Sequence, residues 1–387
     1  MNAVQVRYRY RMYPTGAQAE MLARTFGCSR VVYNDALRLR DESYEAGEKL
    51  SDSEIQSRVI TMAKLTPERG WLNEVASVAL VQACQDARRA YRNWFDSMSG
   101  KRRGRRAGHP RFRKKSSRKS FRLTRNGFSI RDNGRVYLAK IGDVRVRWSR
   151  ELGSEPSSVT VIKEPDGRYY LSFVVEREAW PLPAIEHEAG IDLGLDRLVV
   201  TSDGEIVPNP RSLRKRLRKL ASLQRAVSRK QKGSANRRKA SMRVAAQHRK
   251  VRDARFDHAH KTALRLIREN QAVYAETLAV NGLARTRLAK SVYDAGWSQL
   301  LRLLAEKADY HGRTFHQIGR FVPSSQVCSA CGRLDGPKPL SVRRWECPCG
   351  AVHDRDVNAA INILMVGQTG SLNASGAQVS PAAQAVA

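Results

Sequence analysis

The chain has 387 residues and sets 70 Lys and Arg against 37 Asp and Glu, a formal net charge of +33, which repels itself unless a polyanion takes it up. An apolar content of 41% is enough to bury a core, and the length allows roughly two or three domains of ~150 residues each. No apolar run of about 18 residues and no lipidation signal offers a membrane anchor, and MNAVQVRYRY lacks the apolar segment of a secretory signal, so nucleic-acid partners, no membrane and a cytoplasmic, nucleoid-associated location are expected.

The first element, VQVRYRYRMYP, alternates and is rich in Val and Tyr, so it predicts a strand. Thr15 and Gln18 have capping-box spacing and predict a helix start, and the chain reads as helical to about Ser99. In its last part Leu80, Cys84, Ala87, Tyr91 and Trp94 fall on one helical face. Residues 100–127 carry no acid. They read as a grip on a phosphate backbone, with Phe112 and Phe121 interleaved to stack on bases; the candidates are Arg102, Arg103, Arg105, Arg106, Arg111, Phe112, Arg113, Lys114 and Lys115. From Phe121 to Val175 the pattern is β, with Asp166–Gly167 as a hairpin turn. A small barrel fits, with the N-terminal strand added to it and a domain boundary near Pro183. A second acid-free stretch, Arg211 to Arg252, has an apolar seam of Leu213, Leu217, Leu220 and Val227 and a turn at Gly233–Ser234. It predicts a hairpin of two basic helices, with Arg214, Lys215, Arg218, Arg237, Arg238 and Lys239 as nucleic-acid contacts. The last stretch from Gly367 is small and polar and reads as disordered.

Cys28 and Cys84 lie alone and read as small core residues. The other four cysteines form two knuckles, Cys328/Cys331 and Cys347/Cys349. Two thiolates from each tight turn satisfy one tetrahedral structural zinc. Gly332 and Gly350 follow the pairs. The second pair has a single spacer residue, which tightens its bite and leaves His353 as an alternative donor. With four protein ligands no position is open for water, which excludes a catalytic zinc.

Three acids stand out by context. Asp192 interrupts an apolar strand whose Ile191, Leu193 and Leu195 face the other way; Asp203–Gly204 then turns the chain into another strand. A carboxylate there is costly unless it is paired or bound to metal. Glu276 ends the apolar run QAVYA. Either Asp354 or Asp356 heads a helix whose Val357, Ala360, Ile361 and Leu364 share a face. Each has a bland explanation: an arginine partner for Asp192, a solvated strand end for Glu276, an N-cap for the helix-start aspartate. Together they match what two Mg²⁺ ions need for phosphodiester hydrolysis, with carboxylates converging from separate elements. A strand hairpin, a strand and a helix giving one acid each is the RNase H-like arrangement. No Walker loop, dinucleotide fingerprint, nucleophilic Ser or Cys grouping, or recombinase Tyr or Ser motif stands out.

GIDLGLDRLVVTSDG, YAETLAVNGL and CSACG…CPCGAVHDRDVNAAINIL resemble the three RuvC motifs and inserted zinc knuckle of the TnpB family, which insertion sequences encode and which is related to type V CRISPR effectors. YRYRMYPTGAQAEMLARTFGCSRVVYNDALR and GHPRFRKK…SFRL resemble its N-terminal region. The resemblance implies an α/β multidomain protein. Its parts would be a wedge-like β-barrel (1–12 and 110–182), a helical recognition domain (13–109), a RuvC-like RNase H nuclease domain (183–322 and 353–366), the knuckle (323–352) and a disordered tail (367–387). It implies an RNA-guided DNA endonuclease. A guide RNA from the transposon end would pair with double-stranded target DNA beside a short transposon-adjacent motif. The family pattern Asp-x-Asn-Ala-Ala places the third catalytic, magnesium-binding acid, with Asp192 and Glu276, at Asp356, leaving Asp354 as a cap or supporting group. The competing functions are an RNA-guided repressor that does not cut and an unguided RNase H-like recombinase or resolvase. Monomer and dimer both stay open.

Overall fold

The computed structural model describes residues 3–102, 104–339 and 341–374. The chain divides into two compact units, Ala3–Glu178 and the residues from Ala179 onward.

The first unit opens with β1 (Ala3–Tyr13) and α1 (Gly16–Glu45), then α2 (Asp52–Gln56), a π-helical turn at Ser57–Met62 and α3 (Ser77–Met98). The Thr15 capping box forms: Gln18 N–H donates to Thr15 Oγ1 (3.3 Å), and Thr15 N–H to Gln18 Oε1 (3.0 Å). Six strands follow: β2 (Lys119–Thr124), β3 (Phe128–Ile130), β4 (Val136–Leu138), β5 (Gly142–Arg147), β6 (Ser158–Lys163) and β7 (Tyr169–Glu178). The sheet order is β2-β6-β7-β1-β5-β4-β3, so the N-terminal strand is its middle member, paired with β7 on one side and β5 on the other. The outer strands β2 and β3 are joined by one short turn, which curls the sheet to a nearly closed barrel. Its core holds Tyr10, Met12, Phe121, Leu171 and Phe173. Phe121 therefore does not stack on bases. It is 4% exposed, because alternation along β2 turns it inward with Leu123. The helices keep a second core of Val32, Leu37, Leu72, Leu80 and Tyr91, in which Cys28 and Cys84 are buried.

The second unit is a sheet between helices. Its strands and helices run β8 (Glu188–Asp192), β9 (Arg197–Thr201), β10 (Ile206–Pro208), α4 (Leu217–Ser228), α5 (Ala235–Glu269), β11 (Ala272–Glu276), α6 (Val280–Leu283), α7 (Ala289–Ala295), α8 (Trp297–His311) and β12 (Thr314–Ile318). A small ribbon of β13 (Arg344–Glu346) and β14 (Val352–Asp354) leads into α9 (Arg355–Ala374). The sheet order is β10-β9-β8-β11-β12. The first three strands are antiparallel neighbours, and β11 and β12 run parallel to β8. One face packs Ile191, Leu193, Val273 and Ala275 against Ala263, Leu266 and Ile267 of α5 and Trp297, Leu300 and Leu304 of α8. Each of the larger aliphatic side chains there contributes about 1.5–3 kcal/mol when withdrawn from water. The basic hairpin expected from the sequence is α4 and α5, with Leu220 buried and Ser234 as the N-cap of α5.

The other face is covered by α9, which lies directly on the backbone of β8. A Cβ on Gly190 would meet the Ala360 carbonyl oxygen at 2.1 Å and the Leu364 nitrogen at 2.6 Å. A Cβ on Gly367 would meet the Tyr274 ring at 2.2 Å. This packing continues the helix past the position where disorder was expected: Gly367 lies within it, and α9 runs to Ala374. The part of the expected tail from 375 on lies outside the described residues. The buried face of α9 keeps Ala360 from the expected one but is otherwise different. It is formed by Asn358, Ala359, Ala360, Asn362 and Ile363, because both asparagines find carbonyl partners. Asn362 Nδ2 donates to Ser324 O and Val327 O at 2.7 Å, and Asn358 Nδ2 to Val327 O at 2.8 Å.

Replacing Gly190 by Ala should force α9 off the sheet and cost about 1–3 kcal/mol, read as a lower urea midpoint with an unchanged denaturant slope.

Candidate active site and metal knuckle

Asp192 and Glu276 are the last residues of β8 and β11. The parallel register that sets Ala275 beside Ile191, carried one residue further, sets Glu276 beside Asp192. Side chains alternate along a strand, and Ile191 and Ala275 point into the α5/α8 core. Both acids therefore point to the face that α9 covers. Asp356 comes from the first turn of α9, one turn before the Ala360 that lies on Gly190, while Asp192 is two residues beyond Gly190. Four helical residues rise about 6 Å and two strand residues about 6.6 Å, so the third acid is carried to the level of the first two. The charges feel one another: burial, then the nearby Glu276 and Asp356, push the Asp192 carboxyl up to about 7, and burial raises Glu276. Carboxylates are the hard-oxygen donors that a divalent cation such as Mg²⁺ takes, although among the described residues only the four knuckle cysteines already have their ligand atoms gathered around one point.

Asp354 has a separate job. Its Oδ1 accepts from the N–H groups of Asp356 (3.0 Å) and Val357 (3.2 Å), which makes it the N-cap of α9. Arg197 Nη1 holds it at 3.0 Å. Burial pushes the Asp354 carboxyl up, but Arg197 and the two N–H donors outweigh it and keep the group below the usual carboxylate range. Sequence reasoning missed the arginines around this cluster. Arg197 also lies 3.6 Å from Asp356, and Arg343 links Asp356 and Asp196. The only sequence signal for Arg197 is its place at the start of β9, just past the short turn after Asp192; Arg343 is distant in sequence and had none.

The knuckle cysteines converge. The sulfurs of Cys328, Cys331, Cys347 and Cys349 all lie within 4.8 Å of one another. Cys328–Cys349 and Cys331–Cys347 are each 3.8 Å apart. A tetrahedron with Zn–S bonds of about 2.3 Å has edges of about 3.8 Å, so the donors fit zinc in size and chemistry, and the single-residue spacer does not spoil the bite. His353 Nε2 lies 3.0 Å from the Cys328 sulfur, beside the thiolates as a hydrogen-bond partner. Asn358 Oδ1 accepts from Ser329 N–H (2.9 Å), tying the first knuckle to α9.

Of the basic candidates, Arg102, Arg105, Arg106, Arg111, Lys114 and Lys115 are exposed, as are Arg214, Lys215, Arg218, Arg238 and Lys239, and Phe112 is exposed too. Two others are engaged internally. Arg113 lies 3.7 Å over the Tyr33 ring and 3.3 Å from Asp86. Arg237 donates to the Val227 and Lys230 carbonyls at 2.9 and 2.8 Å, closing the C-terminal end of α4. Arg103 lies outside the described residues.

A raised carboxylate pKa costs folding energy wherever the unfolded chain ionises first. For Asp192 that cost builds from the unfolded value near 4 up to about 7 and is constant above. Asp192→Asn should therefore stabilise the metal-free protein at pH 8 by on the order of 2–4 kcal/mol, and the gain should vanish by pH 4, measured by urea unfolding across pH. The purified chain should carry one zinc by elemental analysis, and Cys347→Ser should lose it along with thermal stability.

Comparison with known proteins places the chain among relatives. The family described as "Probable transposase" matches residues 172–287, and the Cas12f1-like TNB domain matches 297–363. A "Helix-turn-helix domain" family matches residues 1–49, where the structure has a strand and one long helix. A Streptomyces pristinaespiralis protein named "Putative RNA-guided DNA endonuclease" is 44% identical over 377 residues, spanning 96% of this chain and 91% of its own. The Escherichia coli K12 protein "Putative RNA-guided DNA endonuclease InsQ" is 30% identical over 380 residues, spanning 93% and 92%. The fold is shared with a chain in a cryo-EM structure of a Cas12f1–sgRNA–target DNA complex, with a TM-score of 0.57 at 10% identity over 94% of this chain and 99% of that one. Identity of 44% held over nearly the whole of both chains makes this protein a member of the TnpB-like family of insertion elements.

Proposed function

We propose that the chain is an RNA-guided DNA endonuclease whose hydrolytic centre is Asp192, Glu276 and Asp356. A guide RNA from the transposon end pairs with the target strand beside a short adjacent motif, and base pairing supplies the sequence specificity. The observation that carries the reading is the convergence of the three acids on one face of the sheet, two at adjacent strand ends and one at a helix start. The strand order, three antiparallel neighbours followed by two strands parallel to the first, supports an RNase H-like, RuvC-type domain. The names of the relatives agree.

Asp192, Glu276 and Asp356 would hold two magnesium ions. Bound there, magnesium supplies Lewis acidity to the scissile phosphate and a water activated for attack. The protein's own part is placement. Adjacent strand ends fix Asp192 and Glu276, and the Asp354 cap fixes the first turn of α9, so Asp356 meets them without searching rotamers or backbone states. Ionised Asp192 is the form that binds a cation, and in the cation-free protein it is held up to about 7, so more Mg²⁺ should be needed for half-maximal activity as pH drops below that value. The exposed cations of α4, α5 and the 100–127 segment bind phosphate backbones, the sequence-independent part of recognition. We assign the four thiolates to one structural zinc, which shapes the entry to α9 and takes no part in chemistry.

The test is to purify the protein, sequence the RNA that accompanies it, and offer a matching duplex with Mg²⁺. Cleavage of the programmed duplex is expected, and Asp192→Ala should reduce it to background while RNA is retained. A variant that cuts normally would remove these acids from the centre, and a protein that cuts without RNA would remove the guide.

A further inference from the structure

Arg343 lies one residue before β13, on the knuckle side of α9. Its Nη1 is 3.4 Å from both carboxylate oxygens of Asp356, and its Nη2 is 3.2 Å from Asp196 Oδ2. Its backbone is held as well: Arg355 N–H donates to the Arg343 carbonyl at 2.8 Å, and the next residue, Arg344, pairs with Asp354 across the β13–β14 ribbon. That ribbon turns at the second cysteine pair, where Gly350 N–H donates to the Cys347 carbonyl at 2.8 Å. One short hairpin thus presents two metal-binding thiols at its tip and Arg343 at its base. Arg197, the other nearby cation, holds the Asp354 cap more closely, at 3.0 Å, than it holds Asp356, at 3.6 Å.

We propose that Arg343 is a positioning residue through which the knuckle sets the charge of the carboxylate centre: it orients and neutralises Asp356 in the cation-free protein and yields that carboxylate when a divalent cation binds. The inference rests on reading Asp192, Glu276 and Asp356 as the cation site. Two features favour a charge role over a packing role. The Arg343 side chain is 51% exposed while that of Asp356 is 14% exposed, so little apolar contact is at stake and the guanidinium can withdraw into solvent. The pair is also long and half-solvated, hence weak, as suits a partner that must be displaced. A guanidinium at this range opposes a second cation on the same carboxylate. With the guanidinium half in solvent, where the effective dielectric approaches that of water, its removal should tighten divalent binding about threefold to tenfold.

The test uses Mn²⁺ as the probe, titrated into the full-length, zinc-loaded protein at low ionic strength, with free Mn²⁺ followed by electron paramagnetic resonance. Arg343→Gln should bind Mn²⁺ about threefold to tenfold more tightly, and Arg343→Lys should stay near the parent value because it keeps the charge. Cys349→Ser, at the exposed end of the hairpin and measured without zinc below its unfolding temperature, should shift binding in the same direction as Arg343→Gln, and the double variant should add nothing. Unchanged or weaker binding by Arg343→Gln would overturn the proposal, since a merely structural arginine leaves the site looser when lost. Additive effects in the double variant would overturn the link to the knuckle. Asp192→Asn is the separate control. If it binds Mn²⁺ as the parent does, the reading of the acids as the cation site has failed, whatever Arg343 does.

Discussion

The second unit depends on one close approach, the passage of α9 over Gly190. Backbone meets backbone there, with no room for even a methyl group on the strand. The contact fixes the height of the helix above the sheet, and its register then sets which residues lie at the ends of β8 and β11. Moving α9 by one residue would rotate Asp356 by about 100° and take it away from Asp192. Gly367 against Tyr274 makes a second such contact near the far end of the helix, so the axis is pinned at two points. An acid carried on a packed helix is held more tightly than one on a loop.

The electrostatics follow from this packing. The chain is strongly basic, yet it gathers three acids in a place only partly open to solvent. The clustering is costly, and the raised Asp192 and Glu276 carboxyls express that cost. Arginines at the rim, Arg197 and Arg343, offset part of it. Asp354 differs from Asp356, two residues away, because it spends its oxygens on the helix N-terminus and on Arg197. Adjacent aspartates thus have separate duties, one shaping the helix and the other left to face the centre. The knuckle joins the same arrangement through Asn358 and Asn362, whose amides reach the loop that carries Cys328.

Much of this was legible in the chain because the signals are local. Alternation marked β1, the Thr15 and Gln18 pair marked the start of α1, and the acid-free hairpin and the cysteine pairs declared themselves by spacing. Asp192 was legible because a carboxylate inside an apolar strand is expensive. The misreadings share a cause. Phe121 sits among cations and serine, and only its pairing in β2 shows that it faces the barrel interior. The apolar face of α9 expected from Val357, Ala360, Ile361 and Leu364 holds at Ala360, whereas the buried face also includes two asparagines whose partners lie more than thirty residues earlier in the chain. No helical periodicity can reveal a polar residue that is buried because a distant carbonyl accepts its hydrogen bond.

The sequence alone determined the residue types that chemistry requires: a basic chain, four cysteines in two pairs, and three acids set against apolar or helix-start contexts. Local hydrogen bonding and side-chain periodicity act over a few residues, and such features survive being read in one dimension. Only the tertiary structure decided which aspartate of the pair caps the helix, which arginines stand beside the acids, and which face of α9 meets the sheet. Those outcomes depend on contacts between segments tens to more than a hundred residues apart, such as Arg197 with Asp354 and Gly190 with Ala360, and such contacts exist only once the chain has folded.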